Sequence, residues 1–342
     1  TALSLMIFSL GLGTMITLSS THWLLAWMGL EISTLAILPM MAQQHHPRAV
    51  EATTKYFLTQ ATAAATLLFA SISWLTGQWD IQQMSHPFPT TMIILSLALK
   101  LGLAPLHTWL PEVLQGLDLT TGLIISTWQK LAPFALILQV QSPSPALLII
   151  LGLMSALIGG WGGLNQTQLR KILAYSSIAH LGWMIMILQF SPTLTILALF
   201  IYIFMTLSIF LAFKFNKTTN INALATSWPK APILTALMPL ILLSLGGLPP
   251  LTGFMPKWLI LLELIEQNLA FSATIMALTA LLSLFFYVRL AYSITATISP
   301  NTLMNMAPWR TAPTQLTHLM AVSISTTLWL LPLTPTVSSL LN

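Results

Sequence analysis

The chain has 342 residues, 56% of them hydrophobic and 6% charged, with a mean hydropathy of +0.84. A soluble domain carries about 25% charged residues, so this composition excludes a soluble globular protein and describes an all-α, polytopic membrane protein. Zero cysteines exclude disulfides, thiolate metal ligands, iron–sulfur ligation and cysteine nucleophiles, and the excess of 12 Lys+Arg over 7 Asp+Glu reads as membrane orientation, not as a nucleic-acid partner.

A span needs about 20 mostly apolar residues. Such stretches fall at roughly 2–19, 23–42, 54–77, 90–110, 119–140, 145–164, 171–190, 193–213, 233–266, 271–293 and 316–334, which predicts about eleven transmembrane helices in one domain covering 1–342. The first stretch lacks a basic flank and a cleavage site, so no cleavable signal peptide is expected. Because the chain starts at Thr1, a few leading residues are expected to precede it. The ninth stretch is too long for one straight crossing at 1.5 Å per residue. It contains LGGLPPLTGF, so two half-helices joined by unwound backbone at Pro249 and Pro250 are expected. The fourth stretch is interrupted in the same way by Pro105, with His107 just beyond it.

The loops test this count. With alternating spans, one side receives Arg48, Arg170, Lys171, the Lys214–Lys230 loop and Arg310. The other side receives SSTH, the loop with Asp80, and short loops near 141–145, 191 and 267–270, all without Lys or Arg. Basic loops mark the inner side, so the N terminus is expected inside and the C terminus outside, with Glu112 and Asp118 in an inner loop. The two proline breaks lie five spans apart. An odd offset predicts an inverted five-helix repeat, roughly 1–140 and 145–293, followed by a C-terminal helix at 316–334.

Charged residues inside spans are expensive, by roughly 3 kcal/mol on insertion scales, and mark function. Glu31 lies near mid-span, and Lys100 is its natural partner; a pair that opens and closes couples charge movement to protonation. The competing reading is a salt bridge that only holds two helices together. Lys130, in STWQKLAPF, has no carboxylate in its own span and is placed to load and release a proton; snorkelling to an interface is the alternative. Lys257 starts a half-helix, and Glu263 and Glu266, six and nine residues on, are not i,i+4 partners. His180, flanked by Ser176 and Ser177, is either a proton relay or a packed histidine, and His107 either relays or caps. His22, His45, His46, His86 and His318 read as surface residues, and Arg48, Glu51 and Lys55 as a surface ion-pair cluster. GGWGGLN, 159–165, suits close helix packing. No phosphate loop, metal-ligand spacing or Ser/His/Asp set is present in the sequence.

HWLLAWMGLEI, PRAVEATTKYFLTQATAA, LPEVLQGLDLTTGLI, GGLNQTQLRKILAYSSIAHLGWM and LSLGGLPPLTGFMPKW together closely resemble the subunit 2 family of NADH dehydrogenase, antiporter-like membrane subunits of respiratory complex I, in its vertebrate form. The resemblance runs through essentially the whole chain. It implies kinship with multi-subunit cation/proton antiporters, an inverted repeat with two broken helices, and loss of the leading helices of the bacterial version. It also implies residue roles: Glu31 as the family glutamate, Lys100 its partner lysine on the first broken helix, Lys130 the central lysine, Lys257 the terminal lysine on the second broken helix, and His180 the histidine after the Arg-Lys loop.

A multi-pass mitochondrial inner-membrane location follows from the resemblance, with the N terminus on the matrix side and the C terminus on the intermembrane-space side. The expected partners are other membrane-arm subunits and phospholipids such as cardiolipin. FMN, iron–sulfur clusters and ubiquinone are expected on other subunits, with no cofactor or metal on this chain and no redox catalysis by it. The leading hypothesis is therefore a proton-translocating subunit of NADH:ubiquinone reductase, with protons passing along Glu31–Lys100–Lys130–His180–Lys257. A self-sufficient cation/proton antiporter and a purely structural scaffold are the alternatives.

Overall fold

The computed structural model describes residues 2–43, 46–72, 81, 87–140, 145–228, 231–296 and 317–341. Of the residues that mark loops in the sequence, His45, Asp80, His86, Lys230 and Arg310 lie outside the described residues. The chain forms two compact units, Thr1–Ser155 and Ala156–Asn342. The division falls inside a helix, a little after the expected repeat boundary at 140–145.

The first unit contains α1 (Ala2–Ser19), α2 (Trp23–Met41), α3 (Pro47–Ile72), α4 (Pro87–Leu101), α5 (Trp109–Gly116), α6 (Leu119–Ser126), α7 (Trp128–Gln139) and the start of α8 (Pro145–Gly163). The second contains the rest of α8, then α9 (Leu169–Ile187), α10 (Pro192–Asn216), α11 (Ile221–Ala225), α12 (Pro232–Gly246), α13 (Phe254–Glu266) and α14 (Ala270–Thr295). It ends with α15 (Thr317–Trp329), a 3-10 turn (Leu331–Leu333) and α16 (Thr334–Leu341). Apart from the short α11, every helix overlaps one of the eleven expected stretches. Among the described residues the regular elements are helices, one of the two arrangements that satisfy every backbone polar group inside a bilayer.

Among the described residues, five helices are long and apolar enough to cross a bilayer, counting α6 with α7, and a sixth counts the C-terminal pair bent by 69°. The break between α6 and α7 has no proline at it. The fifth stretch breaks at Thr127 (φ −115, ψ −69), where the hydroxyl bonds the Leu123 carbonyl at 2.7 Å. Other boundaries also shift. The fourth stretch ends its first helix at Leu101, and the helix after the break runs to Gly116, so Glu112 is helical and not in a loop. Lys214 likewise belongs to the last turn of α10.

Packing within the units relies on small residues, as expected where no hydrophobic force drives helices together in lipid. A Cβ on Gly13 would meet the Gly29 carbonyl oxygen at 2.8 Å, and one on Gly29 would meet Gly13 in return, so α1 and α2 touch backbone to backbone. In GGWGG, a Cβ on Gly159 would meet the Ala179 backbone at 2.6 Å, which is the close packing read from that motif. Buried hydroxyls are satisfied locally: Thr17, Ser176, Ser177 and Ser208 each donate to the carbonyl three residues back. Arg289 donates to the Leu164 and Gln166 carbonyls, fixing the α8–α9 loop to α14.

Candidate functional site

Each unit builds one cluster of buried polar groups beside a broken helix. In the first unit, α4 ends in a left-handed glycine: Gly102 has φ +77, and the Gly102 and Leu103 amides both reach the Ala98 carbonyl at 2.9 Å. This closure ends the helix one residue past Lys100. The chain turns through a cis Ala104–Pro105 peptide bond, and Trp109 then donates its indole N–H to the Leu99 carbonyl at 3.0 Å, satisfying part of the open helix end. Pro105 itself is exposed, and the half-buried His107 keeps its Nδ1 3.3 Å from the Pro105 carbonyl, a local contact.

Lys100 is therefore at the carboxyl end of α4, 6% exposed. Lys130, 3% exposed, sits in the first turn of α7, shortly after the Thr127 break. The two line one small cavity with Tyr56, Gln60, Trp109 and Gln129. Its free volume is ≈ 10 Å³, about what one water molecule occupies. Gln129 donates to the Ser33 carbonyl at 2.9 Å, which ties α7 to α2 two residues from Glu31.

The sequence suggested a Glu31–Lys100 pair; the structure holds it open. The Lys100 amine and Glu31 Oε2 are both buried without a protein hydrogen-bond partner. The Glu31 charge nevertheless acts on both Lys100 and Tyr56. Leaving a buried polar group unpaired costs about 1–3 kcal/mol. Here Lys100, Glu31 and the Gln60 amide nitrogen all carry that cost in one region. A clamp would have closed the pair.

The second unit solves the same problem differently. The α12 helix also ends in a left-handed glycine, Gly247 at φ +81, and the chain passes through the exposed Pro249 and Pro250 before α13 begins. Lys257, in the first turn of α13, folds back and donates to the Gly246 carbonyl at 2.8 Å. It thus occupies the negative end of the α12 dipole, with the Trp183 ring 6.0 Å away. A Cβ at Gly247 would lie 2.9 Å from the Lys257 Cδ, so both the backbone angle and the space require glycine. Lys257 has neither Glu263 nor Glu266 as a partner; Glu263 accepts from Gln267 at 3.1 Å.

His180 is buried one turn before Trp183 on α9, with its ring 5.6 Å from that of Tyr202. Around it, Tyr202 is bonded to Ser177, and the Tyr287 hydroxyl faces Ser176 without a hydrogen bond of ordinary geometry. Tyr202 and Tyr287 were not singled out in the sequence. A tyrosine in mid-span was the available signal, because its hydroxyl needs a buried partner. Glu112 was also missed as part of the surface cluster: Lys55 bridges Glu51 and Glu112, each at 2.8 Å, and the Lys55 ammonium holds the Glu51 carboxyl below the usual carboxylate range. Two proton-capable clusters, set at helix ends where charge can move, are what this arrangement offers chemically.

Comparison with known proteins agrees with this architecture. The family described as NADH:quinone oxidoreductase/Mrp antiporter, TM, matches residues 20–283, and that described as NADH dehydrogenase subunit 2 C-terminus matches residues 284–338. The NADH-ubiquinone oxidoreductase chain 2 of Tetraodon nigroviridis is 71% identical over 339 residues, 98% of this chain and 97% of its own length. That of Salmo salar is 66% identical over 343 residues, covering 99% and 98%. Among solved structures, a chain of respiratory complex I from Thermus thermophilus with bound aureothin superposes with a TM-score of 0.88 at 28% identity, over 99% of this chain and 79% of that one. A chain of the Mrp complex from Dietzia sp. shares the fold, with a TM-score of 0.82 at 16% identity over 98% of this chain and 76% of that one. The chain belongs to the NADH-ubiquinone oxidoreductase chain 2 family, within the antiporter-like membrane proteins of the NADH:quinone oxidoreductase/Mrp group.

Proposed function

We propose that this chain is a core membrane subunit of mitochondrial NADH:ubiquinone oxidoreductase, complex I, and takes part in moving protons across the inner membrane while other subunits carry electrons from NADH to ubiquinone. The observation that carries this reading is the Lys100–Lys130 cavity. Two buried lysines share one water-sized space, and the Lys100 amine stands open under the charge of Glu31. A buried amine disfavours its charged form, and a nearby carboxylate favours it. Small changes in Glu31 contact therefore shift a proton onto or off Lys100, and Lys130 exchanges it through the same cavity. His180 and Lys257 form the second proton-handling station, and His107 is a candidate relay at the first break.

The chain partners other membrane-arm subunits of the complex. Cardiolipin and similar phospholipids cover its exposed apolar faces. The basic side, with Arg48 and Lys171, faces the matrix, which puts the N terminus in the matrix and the C terminus in the intermembrane space. FMN, iron–sulfur clusters and ubiquinone sit on other subunits.

The test is Lys130→Met in the assembled complex, read as protons moved per NADH oxidised in sealed vesicles. Loss of this chain's share of the pumping with assembly intact supports the reading; unchanged pumping refutes it. One observation favours a structural role for part of the second unit: Lys257 is latched to a carbonyl. A Lys257→Gln variant that keeps that contact and pumps normally would make Lys257 a clamp.

A further inference from the structure

A second cavity lies on two of the helices that line the Lys100–Lys130 cavity. It is lined by Arg48, Glu51, Ala52 and Lys55 of α3 and by Glu112, Gln115 and Gly116 of α5, with a volume of ≈ 360 Å³. The side chains of Lys55, Glu51 and Glu112 are 42%, 64% and 53% exposed, so this basin is open to the surroundings. The inner cavity continues along the same helices with Tyr56 and Gln60 of α3 and Trp109 and Leu110 of α5. The chain runs inward along α3 and outward along α5, so the two series advance together. Lys55 to Gln60 is five residues, about 7.5 Å of helix rise.

Tyr56 of the inner cavity follows Lys55 of the basin on α3, and Trp109 lies one turn before Glu112 on α5. The Tyr56 and Trp109 rings meet edge to face, with centroids 5.8 Å apart. Trp109 is held by its bond to the Leu99 carbonyl, next to Lys100. Beyond the ring pair, the Gln60 amide nitrogen is buried with no protein partner. The outer ion pairs are exposed, and such pairs add little stability, so Lys55 can readily release either carboxylate.

We propose that the Glu51–Lys55–Glu112 basin is the aqueous mouth through which protons reach the Lys100–Lys130 cavity, with the Tyr56–Trp109 ring pair as the closure between them. This rests on the translocation function proposed for the chain. Glu112 takes a proton from water at Oε2, becoming neutral and leaving Lys55 paired with Glu51. The proton returns to water on the inner side and reaches the Tyr56 hydroxyl, whose oxygen accepts it while the hydroxyl's own hydrogen passes inward. It ends on a neutral Lys100 amine, which becomes an ammonium. Arg48, which also lines the basin, keeps the charge of the mouth close to balanced when both carboxylates are ionised.

The sequence has no cysteine, so Gln60→Cys introduces a single reporter thiol on this chain. Assembled complex in vesicles with the matrix face outward is treated with a charged, membrane-impermeant methanethiosulfonate, and the Cys-bearing peptide is quantified by mass spectrometry. The thiol is expected to label from the matrix face, at least tenfold faster with Trp109→Ala added; Tyr56→Leu serves in its place if that variant does not assemble. A thiol that stays unlabelled with the ring pair opened overturns the proposal. In parallel, Glu51→Gln with Glu112→Gln is expected to lower protons moved per NADH, compared with Lys130→Met in the same preparation. Wild-type pumping by the double variant, where Lys130→Met removes this chain's share, also overturns the mouth. Unchanged pumping by Lys130→Met would instead refute the translocation function, and the labelling result alone would then decide whether the mouth exists.

Discussion

The two broken helices share a local design and use it to opposite ends. Both end a half-helix with a left-handed glycine, Gly102 or Gly247, and both place a buried lysine beside the break. Lys100 precedes its break, sits in the last turn of α4 and has no protein hydrogen-bond partner for its amine. Lys257 follows its break and is tied back to the Gly246 carbonyl at 2.8 Å. One break holds a free amine over a water-sized cavity; the other holds an amine on a helix dipole. A lysine near a break is thus not a role in itself. Its side of the break decides whether it can exchange a proton readily or must first leave a carbonyl.

This contrast breaks most sharply by removing the amines. Lys100→Met is expected to abolish proton movement through this chain, seen as loss of this chain's whole share of the protons moved per NADH. Lys257→Met is expected to lower it less, because its bond to Gly246 must break before Lys257 can take part. Equal losses would erase the distinction. The glycines sharpen it further. Gly247→Ala meets both a positive φ, costing about 1–2 kcal/mol, and the Lys257 stem at 2.9 Å, so thermal stability and pumping should fall together. Gly102→Ala carries the same positive-φ cost, but its Cβ meets the tip of Leu110 at 2.8 Å and not the Lys100 stem, so it should lower stability with a smaller effect on pumping.

Most of the helices were legible in the sequence because a bilayer leaves few alternatives: runs of about 20 apolar residues must be helices. The two proline breaks were legible for the same reason, since Pro105 and Pro249–Pro250 interrupt such runs. The Thr127 break was not: the Thr127 amide and hydroxyl both bond the Leu123 carbonyl there, as threonines also do in unbroken helices, so the residue type carries no signal. Lys100, Lys130, Lys257, Glu31 and His180 stood out as costly residues in apolar runs. Their contacts did not, because a partner such as the Gly246 carbonyl is backbone and has no sequence signal. The α3–α5 seam, which joins Lys55 to Glu112 across 57 positions, was invisible because the two residues are so far apart in the chain.

Smaller effects follow from that seam. Trp109→Phe removes the donor to the Leu99 carbonyl and should cost about 1 kcal/mol, seen as a lower thermal midpoint of the assembled complex. It should also loosen the first break without touching the second. The smallest effect is electrostatic. Lys55 holds the Glu51 carboxyl below its ordinary range, so its stabilisation is present above that range and fades as pH falls through the lowered value. The stability difference between wild type and Glu51→Gln should therefore shrink on acidification, and only slightly, because the pair is exposed.

The most direct test of proton exchange at the first break is a map of the assembled complex in lipid, at a resolution that shows ordered water. A water molecule is expected in the Lys100–Lys130 cavity within hydrogen-bonding reach of the lysines, with Lys100 clear of Glu31 and Lys257 still on the Gly246 carbonyl. A dry cavity with Lys100 closed on Glu31 would contradict that exchange and make the first break a clamp.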